Sequence, residues 1–263
     1  AYLLDRDDEL LPAIFIPTTA GTGSEVTKVA VIADPDKDVK LPFAEEQFLP
    51  QMAILDPEVT VSMPGKLTAT TGMDALTHAV EAYVSTVATA ETDELARMAS
   101  ASIMRNLILA YTDGENLEAR ERMAVAACMA GLAFTRAAVG YVHAFAHQLG
   151  GLYHVPHGLA NAIVMPHVLD FSKTSCAGRL AGLARVSGIG DNGASNAELA
   201  DAFIARIRNL NTEMQIPAFV KELRREDFEK IIDRAFAEAH GTYGIPRYMT
   251  REDATALLEK LLR

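Results

Sequence analysis

The chain has 263 residues, 49% of them hydrophobic, and a formal net charge of −11. That apolar share is ample for a large core and excludes a disordered polymer. With 24 Lys and Arg against 35 Asp and Glu, the clustered cations that neutralise phosphates are lacking, so nucleic acid is excluded as a partner. No run of about 18 apolar residues occurs without charges or polar breaks, and no membrane span is predicted.

The chain opens Ala1-Tyr2-Leu3-Leu4-Asp5, with neither an initiator Met nor a signal-peptide pattern, and reads as the middle of a longer protein. Cys128 and Cys176 are its two thiols. Cys128 lies in an apolar helical run, where a buried reduced thiol is expected, and a reducing, cytoplasmic setting follows. Three short strands are predicted first: Ala13 to Pro17, Val29 to Ala33 and Met52 to Leu55. Each is closed by turn residues, namely Thr18 to Ser24, Asp34-Pro35-Asp36 and Asp56-Pro57. Three strands are too few for a sheet with its own core, so they read as the edge of a larger β-containing layer.

From about Pro64 the periodicity becomes helical. Segments are predicted at Leu67 to Val84, Glu94 to Tyr111 and Leu117 to Val139, the last stopping at Gly140. Others run from Gly158 to Phe171, Asn196 to Leu210, Arg225 to Ala237 and Arg251 to Leu262, with Thr250 as the N-cap of the last. The chain is therefore mainly α. Its division falls near Met63-Pro64, with residues 1–63 carrying the strands and 64–263 all-helical.

The chemistry concentrates in histidines. Asp74 and His78 stand four apart, as do His143 and His147, so each pair shares one helix face. His157 follows a short loop, and five of the seven histidines lie between His143 and His167. An Asp-x3-His pair alone is more often an exposed helix face. Here Ala75, Leu76, Ala79 and Val80 surround it, and a carboxylate turned inward needs a partner that a cation would supply. Carboxylate oxygen with imidazole nitrogen suits a divalent transition ion such as Fe²⁺ or Zn²⁺. His154, His167 and His240 are read as structural. The Thr18 to Glu25 turn offers hydroxyls and backbone N–H groups, yet it matches neither the dinucleotide fingerprint nor a P-loop, and by itself it is a strand-ending loop.

In this order, Pro17 to Thr27 (PTTAGTGSEVT), Thr71 to Ala79 (TGMDALTHA), Val142 to Gly150 (VHAFAHQLG) and Pro156 to Ala162 (PHGLANA) resemble the hallmarks of the iron-dependent (group III) alcohol dehydrogenases. Pro166 to Val168 and Ile245 to Arg247 extend the similarity over essentially the whole chain. The resemblance implies the all-α metal-binding domain of the dehydroquinate synthase-like and iron alcohol dehydrogenase fold. A β-rich remnant of the Rossmann-like cofactor domain would precede it, most of that domain and its pyrophosphate-binding GGGS-type loop being absent. It further implies that Asp74, His78, His143 and His157 hold the metal, Fe²⁺ with Zn²⁺ as the alternative. His147 would act beside the nicotinamide, and Thr18, Thr19, Thr22, Thr27 and Lys40 would line the cleft for NAD or NADP. The implied activity is hydride transfer between NAD(P) and a primary alcohol, aldehyde or short diol, with the metal a Lewis acid on the substrate oxygen, in a homodimer. Two alternatives stand beside it: a zinc enzyme of the glycerol dehydrogenase branch, and a helical metal-binding fragment without turnover.

Overall fold

A computed structural model describes residues 11–34, 39–191 and 193–263, with 33–34 and 39–42 described by backbone alone. The strands are β1 (Ile14–Phe15), β2 (Val29–Asp34), β3 (Val39–Ala44) and β4 (Met52–Ala53). They form two separate ladders. β1 pairs in parallel with β4, Ile14 opposite Met52, and β2 pairs antiparallel with β3, Val29 opposite Ala44. β3 was not predicted, because Pro42 cannot donate to a ladder; it stands opposite Val31 in a two-stranded pair, where an edge position tolerates it. Ile14, Ile16 and Met52 are exposed, so these ladders contribute little core of their own.

The helices are α1 (Gly65–Val84), α2 (Ala90–Thr112), α3 (Leu117–Ala137), α4 (Tyr141–Tyr153), α5 (His157–Val186), α6 (Asn196–Glu213), α7 (Phe228–Ala239) and α8 (Arg251–Leu261). α1 is the hub. It is buried on all sides from Gly72 to Val84 and packs against α2, α3 and α5, as a helix without a polar face must. Small residues permit the close approach. A Cβ on Gly72 would lie 2.3 Å from Leu107 Cδ1. α4 packs on α5 and α7, and α6 runs along α5. Thr89, Asn116, Ser195 and Thr250 cap α2, α3, α6 and α8, with reciprocal capping boxes at Thr89, Ser195 and Thr250.

Two boundaries differ from expectation. α3 ends at Ala137 and Gly140 instead opens α4, a helix that the run through Val139 concealed. α5 continues well past Phe171, to Val186, with one non-helical residue at Cys176. Pro166 sits inside it. The hydrogen bond Pro166 cannot make leaves Ala162 O free, and Asn211 Nδ2 of α6 donates to that oxygen at 2.7 Å. Cys128 is half-buried, less enclosed than predicted, and Cys176 is buried; burial pushes both thiols up to about 11. No single helix among the described residues is long and apolar enough to cross a membrane; α3 and α4 pass that test only as a pair bent by 102°.

Candidate metal centre

Helical spacing places Asp74 and His78 one turn apart on α1, and His143 and His147 likewise on α4. His157 follows the short break at residues 154–156 and is the first residue of α5. The structure brings Asp74, His78, His143 and His157 together: one ligand atom from each lies within 4.8 Å of the other three. His143 Nε2 and His157 Nε2 stand 3.8 and 3.4 Å from Asp74 Oδ1. The His78 ring stacks between Phe134 and His143, with centroids 4.2 and 4.5 Å away. His157 is the most open of the four, its side chain 29% exposed while those of Asp74 and His143 are 3% exposed. Approach from solvent therefore comes past His157.

The charge balance favours a cation at this point. Asp74 is buried, and among the described residues its ionic partners are imidazoles, with neither Lys nor Arg beside it. Burial pushes His78 below its ordinary range and His143 well below it, so both are neutral near pH 7 and cannot balance the carboxylate. His78 Nδ1 is also buried without a hydrogen-bond partner. A carboxylate oxygen and three imidazole nitrogens, largely buried and preassembled, fit a divalent ion.

Three supporting residues escaped the sequence reading. Glu81 of α1 accepts from Val142 N at 2.7 Å through Oε1 and lies 2.6 Å from His143 Nδ1 through Oε2. With Nδ1 occupied, Nε2 is the nitrogen His143 turns toward Asp74. Burial raises the Glu81 carboxyl to about 8 against the N–H groups that favour its charged form. Asn161 Nδ2 donates to Asp74 Oδ1 at 2.6 Å and sits 3.2 Å from both His143 Nε2 and His157 Nε2. Both residues repeat signals the sequence does contain: Glu81 is three residues after His78, Asn161 four after His157, and Glu81 interrupts an apolar run. Glu238 is different. It reaches His147 from 91 residues away, and no local pattern announces it.

His147 stands outside the quartet, its ring stacked on His157 with centroids 5.2 Å apart. Of the cleft positions, Thr18 and Thr22 are exposed, Thr19 is half-buried and Thr27 is buried. The turn that carries them is held against the helices. A Cβ on Gly21 would lie 2.7 Å from Thr71 Cβ of α1, and Gly23, at φ +63°, meets the backbone of Gly131 on α3. Thr27 and Ser24 line a groove of about 490 Å³ with Ala13, Phe15, Val29 and Phe48. Lys40 lies on β3, and its side chain is outside the described residues. His154 closes α4 in the left-handed region at φ +55°, and His240 Nε2 is 2.6 Å from Tyr141 Oη, both structural roles.

Residues 68–262 match the C-terminal part of the Fe-containing alcohol dehydrogenase family, and residues 2–57 match the iron-containing alcohol dehydrogenases. The chain belongs to the iron-containing alcohol dehydrogenase family. Within that family it is 41% identical over 255 residues to the NAD-dependent methanol dehydrogenase of Bacillus methanolicus, covering 96% of this chain and 67% of that one. It is 40% identical over 249 residues to the NADPH-dependent butanol dehydrogenase of Clostridium saccharobutylicum, covering 93% and 63%. The 1,3-propanediol dehydrogenase of Klebsiella pneumoniae is 40% identical over 253 residues, covering 95% and 65%. Among solved structures, a 1,3-propanediol oxidoreductase superposes with a TM-score of 0.91 at 40% identity, covering 97% of this chain and 67% of that one. The alcohol dehydrogenase from Oenococcus oeni gives 0.92 at 36%, covering 98% and 67%. The chain thus spans about two thirds of the length of these iron-containing alcohol dehydrogenases.

Proposed function

We propose that this chain is the metal-bearing part of an NAD(P)-dependent dehydrogenase that interconverts a short primary alcohol or diol and its aldehyde. The observation that carries the proposal is the convergence of Asp74, His78, His143 and His157 upon one buried point. The relatives' printed names, which include methanol, butanol and 1,3-propanediol, support the substrate class, and both NAD and NADPH occur among them. The iron-containing family to which the chain belongs supports iron over zinc. On this reading residues 64–263 carry the metal chemistry, and 1–63 supply one wall of the nucleotide cleft, with Thr18, Thr19, Thr22, Thr27 and Lys40 facing the cofactor. A homodimer is the assembly proposed.

Bound in this site, a divalent ion supplies Lewis acidity at the substrate oxygen and a nicotinamide nucleotide supplies the two-electron acceptor. The protein's own contribution is positional. Glu81 presents His143 Nε2, Asn161 restrains Asp74 Oδ1, and the buried packing of α1 excludes water from three of the four donors. Thr18, Thr19, Thr22, Thr27 and Lys40 would hold the nucleotide, whose nicotinamide would supply a hydride acceptor for the substrate carbon, leaving the alcohol's hydroxyl proton to be taken up. His147, next to the exposed His157, receives that proton on its way to solvent.

The test is metal analysis of the purified chain and of Asp74→Ala after loading with Fe²⁺, followed by NAD(P)H formation from 1-propanol or 1,3-propanediol. The expected result is bound metal in the wild type and at least roughly 10-fold weaker binding in the variant. Equal metal in both removes the site. NADH fluorescence on the same chain separates two outcomes: metal with nucleotide binding supports the dehydrogenase, and metal without it supports a helical metal-binding unit.

A further inference from the structure

Glu238, near the end of α7, is ringed by hydrogen-bond donors. Its Oε1 accepts from Tyr243 Oη at 2.8 Å and lies 2.7 Å from His147 Nδ1, and its Oε2 accepts from Gln148 Nε2 at 3.1 Å. Tyr243 keeps its proton, because burial and the adjacent carboxylate push its phenol far up. Gln148 is itself fixed by donating to Ala144 O, one turn back on α4. A carboxylate surrounded in this way has only acceptor capacity left for His147. The pair is largely enclosed, with side chains 10% and 15% exposed.

We propose that Glu238 is a positioning residue that holds His147 as its Nδ1–H tautomer, leaving Nε2 as the proton acceptor beside the metal quartet. Tyr243 and Gln148 fix the carboxylate, and the carboxylate fixes the ring stacked on His157. The inference rests on the role proposed for His147. It adds the reason this histidine can accept a proton: a ring free to take the other tautomer would carry hydrogen on Nε2 and could only donate there. α7 thereby joins the site, though it contributes no donor to the quartet.

The test reads the ring itself. The full chain, labelled with ¹⁵N-histidine and loaded with Zn²⁺, is examined by long-range ¹H–¹⁵N correlation, with His147→Asn assigning the signals. His147 is expected to carry its proton on Nδ1 in the wild type. Glu238→Gln, which keeps an acceptor oxygen, should retain that tautomer, whereas Glu238→Ala should lose it and show Nε2–H. Zinc content should be the same in all three. Nε2–H in the wild type overturns the proposal whether or not any variant folds, and so does Nδ1–H persisting in Glu238→Ala. Because the measurement needs no turnover, its outcome is separate from that of the dehydrogenase reading: a chain that passes it without producing NAD(P)H counts against turnover by this chain and leaves the tautomer assignment standing. Where turnover is present, Glu238→Ala should lower kcat about 100-fold with KM little changed.

Discussion

Glu81 carries two duties with one carboxylate. The first turn of α4 has no side-chain cap of its own at Gly140, and Glu81 satisfies the Val142 N–H in its place. The same group orients His143. Even Gly140 is shaped by it, since a Cβ there would lie 2.7 Å from Glu81 Oε1. Glu81→Ala strands a buried imidazole N–H and a backbone N–H, at a cost of about 1–3 kcal/mol each. The expected outcome is a lower unfolding midpoint together with a roughly 10- to 100-fold loss of metal affinity, measured by competition with a chelating dye. His147→Ala should behave in the opposite manner. It should keep its metal and lose turnover by roughly 10²- to 10⁴-fold, and loss of metal in that variant would make His147 a ligand. Glu81 could have been found from the sequence as an acid inside an apolar helix face. Glu238 could not, because nothing in the local sequence sets it apart from the other acids of α7.

At the level of elements, two glycines divide stability from metal binding. Gly72 faces the flexible ends of Leu107 and Met123, which can shift to admit a methyl group. Gly158 follows His157 in the first turn of α5, and a Cβ there would lie 2.2 Å from the backbone oxygen of Thr70 on α1. Backbone cannot yield as a leucine tip can. Gly72→Ala is expected to cost about 1–3 kcal/mol of stability with metal affinity unchanged. Gly158→Ala should push His157 away from Asp74 and weaken metal binding at least roughly 10-fold, as seen by isothermal titration with Zn²⁺. Wild-type affinity in Gly158→Ala would show that α5 can shift along α1 without opening the quartet. Seven of the eight described helices were legible from spacing, and the start of α8 from the cap at Thr250 and Asp253. The length of α5 was not: the prediction stops at Phe171, before the polar stretch Ser172 to Ser175 and the non-helical Cys176 that the helix runs through.

For the molecule as a whole, Arg120 ties the start of the helical region to what precedes it. It is 1% exposed, and its guanidinium donates to Gly114 O, Thr68 Oγ1 and Met63 O, with no carboxylate among these partners. Burial lowers its pKa without a counter-charge to offset the effect. A planar group with a fixed fork is needed to reach three oxygens at once. Arg120→Lys should therefore unfold more easily by about 2–4 kcal/mol in urea while keeping its metal stoichiometry. An unchanged midpoint would mean the three oxygens find water instead. The strands on the other side of Met63 carry exposed Ile14, Phe15 and Met52.

Local sequence was enough for the helical class, the cap at Thr250, and the pairing of Asp74 with His78 and of His143 with His147, because a helix repeats every 3.6 residues and that period is written along the chain. The family followed from motifs whose order survives without coordinates. The same motifs implied the quartet; what only the tertiary structure decided is its geometry, with donors from α1, α4 and the first residue of α5 within 4.8 Å of one another, and that Glu238 stands behind His147. The reason is physical. Periodicity records which face of a helix turns inward, whereas the partner on that face is chosen by side-chain volume and buried charge, and these act only once the helices are packed.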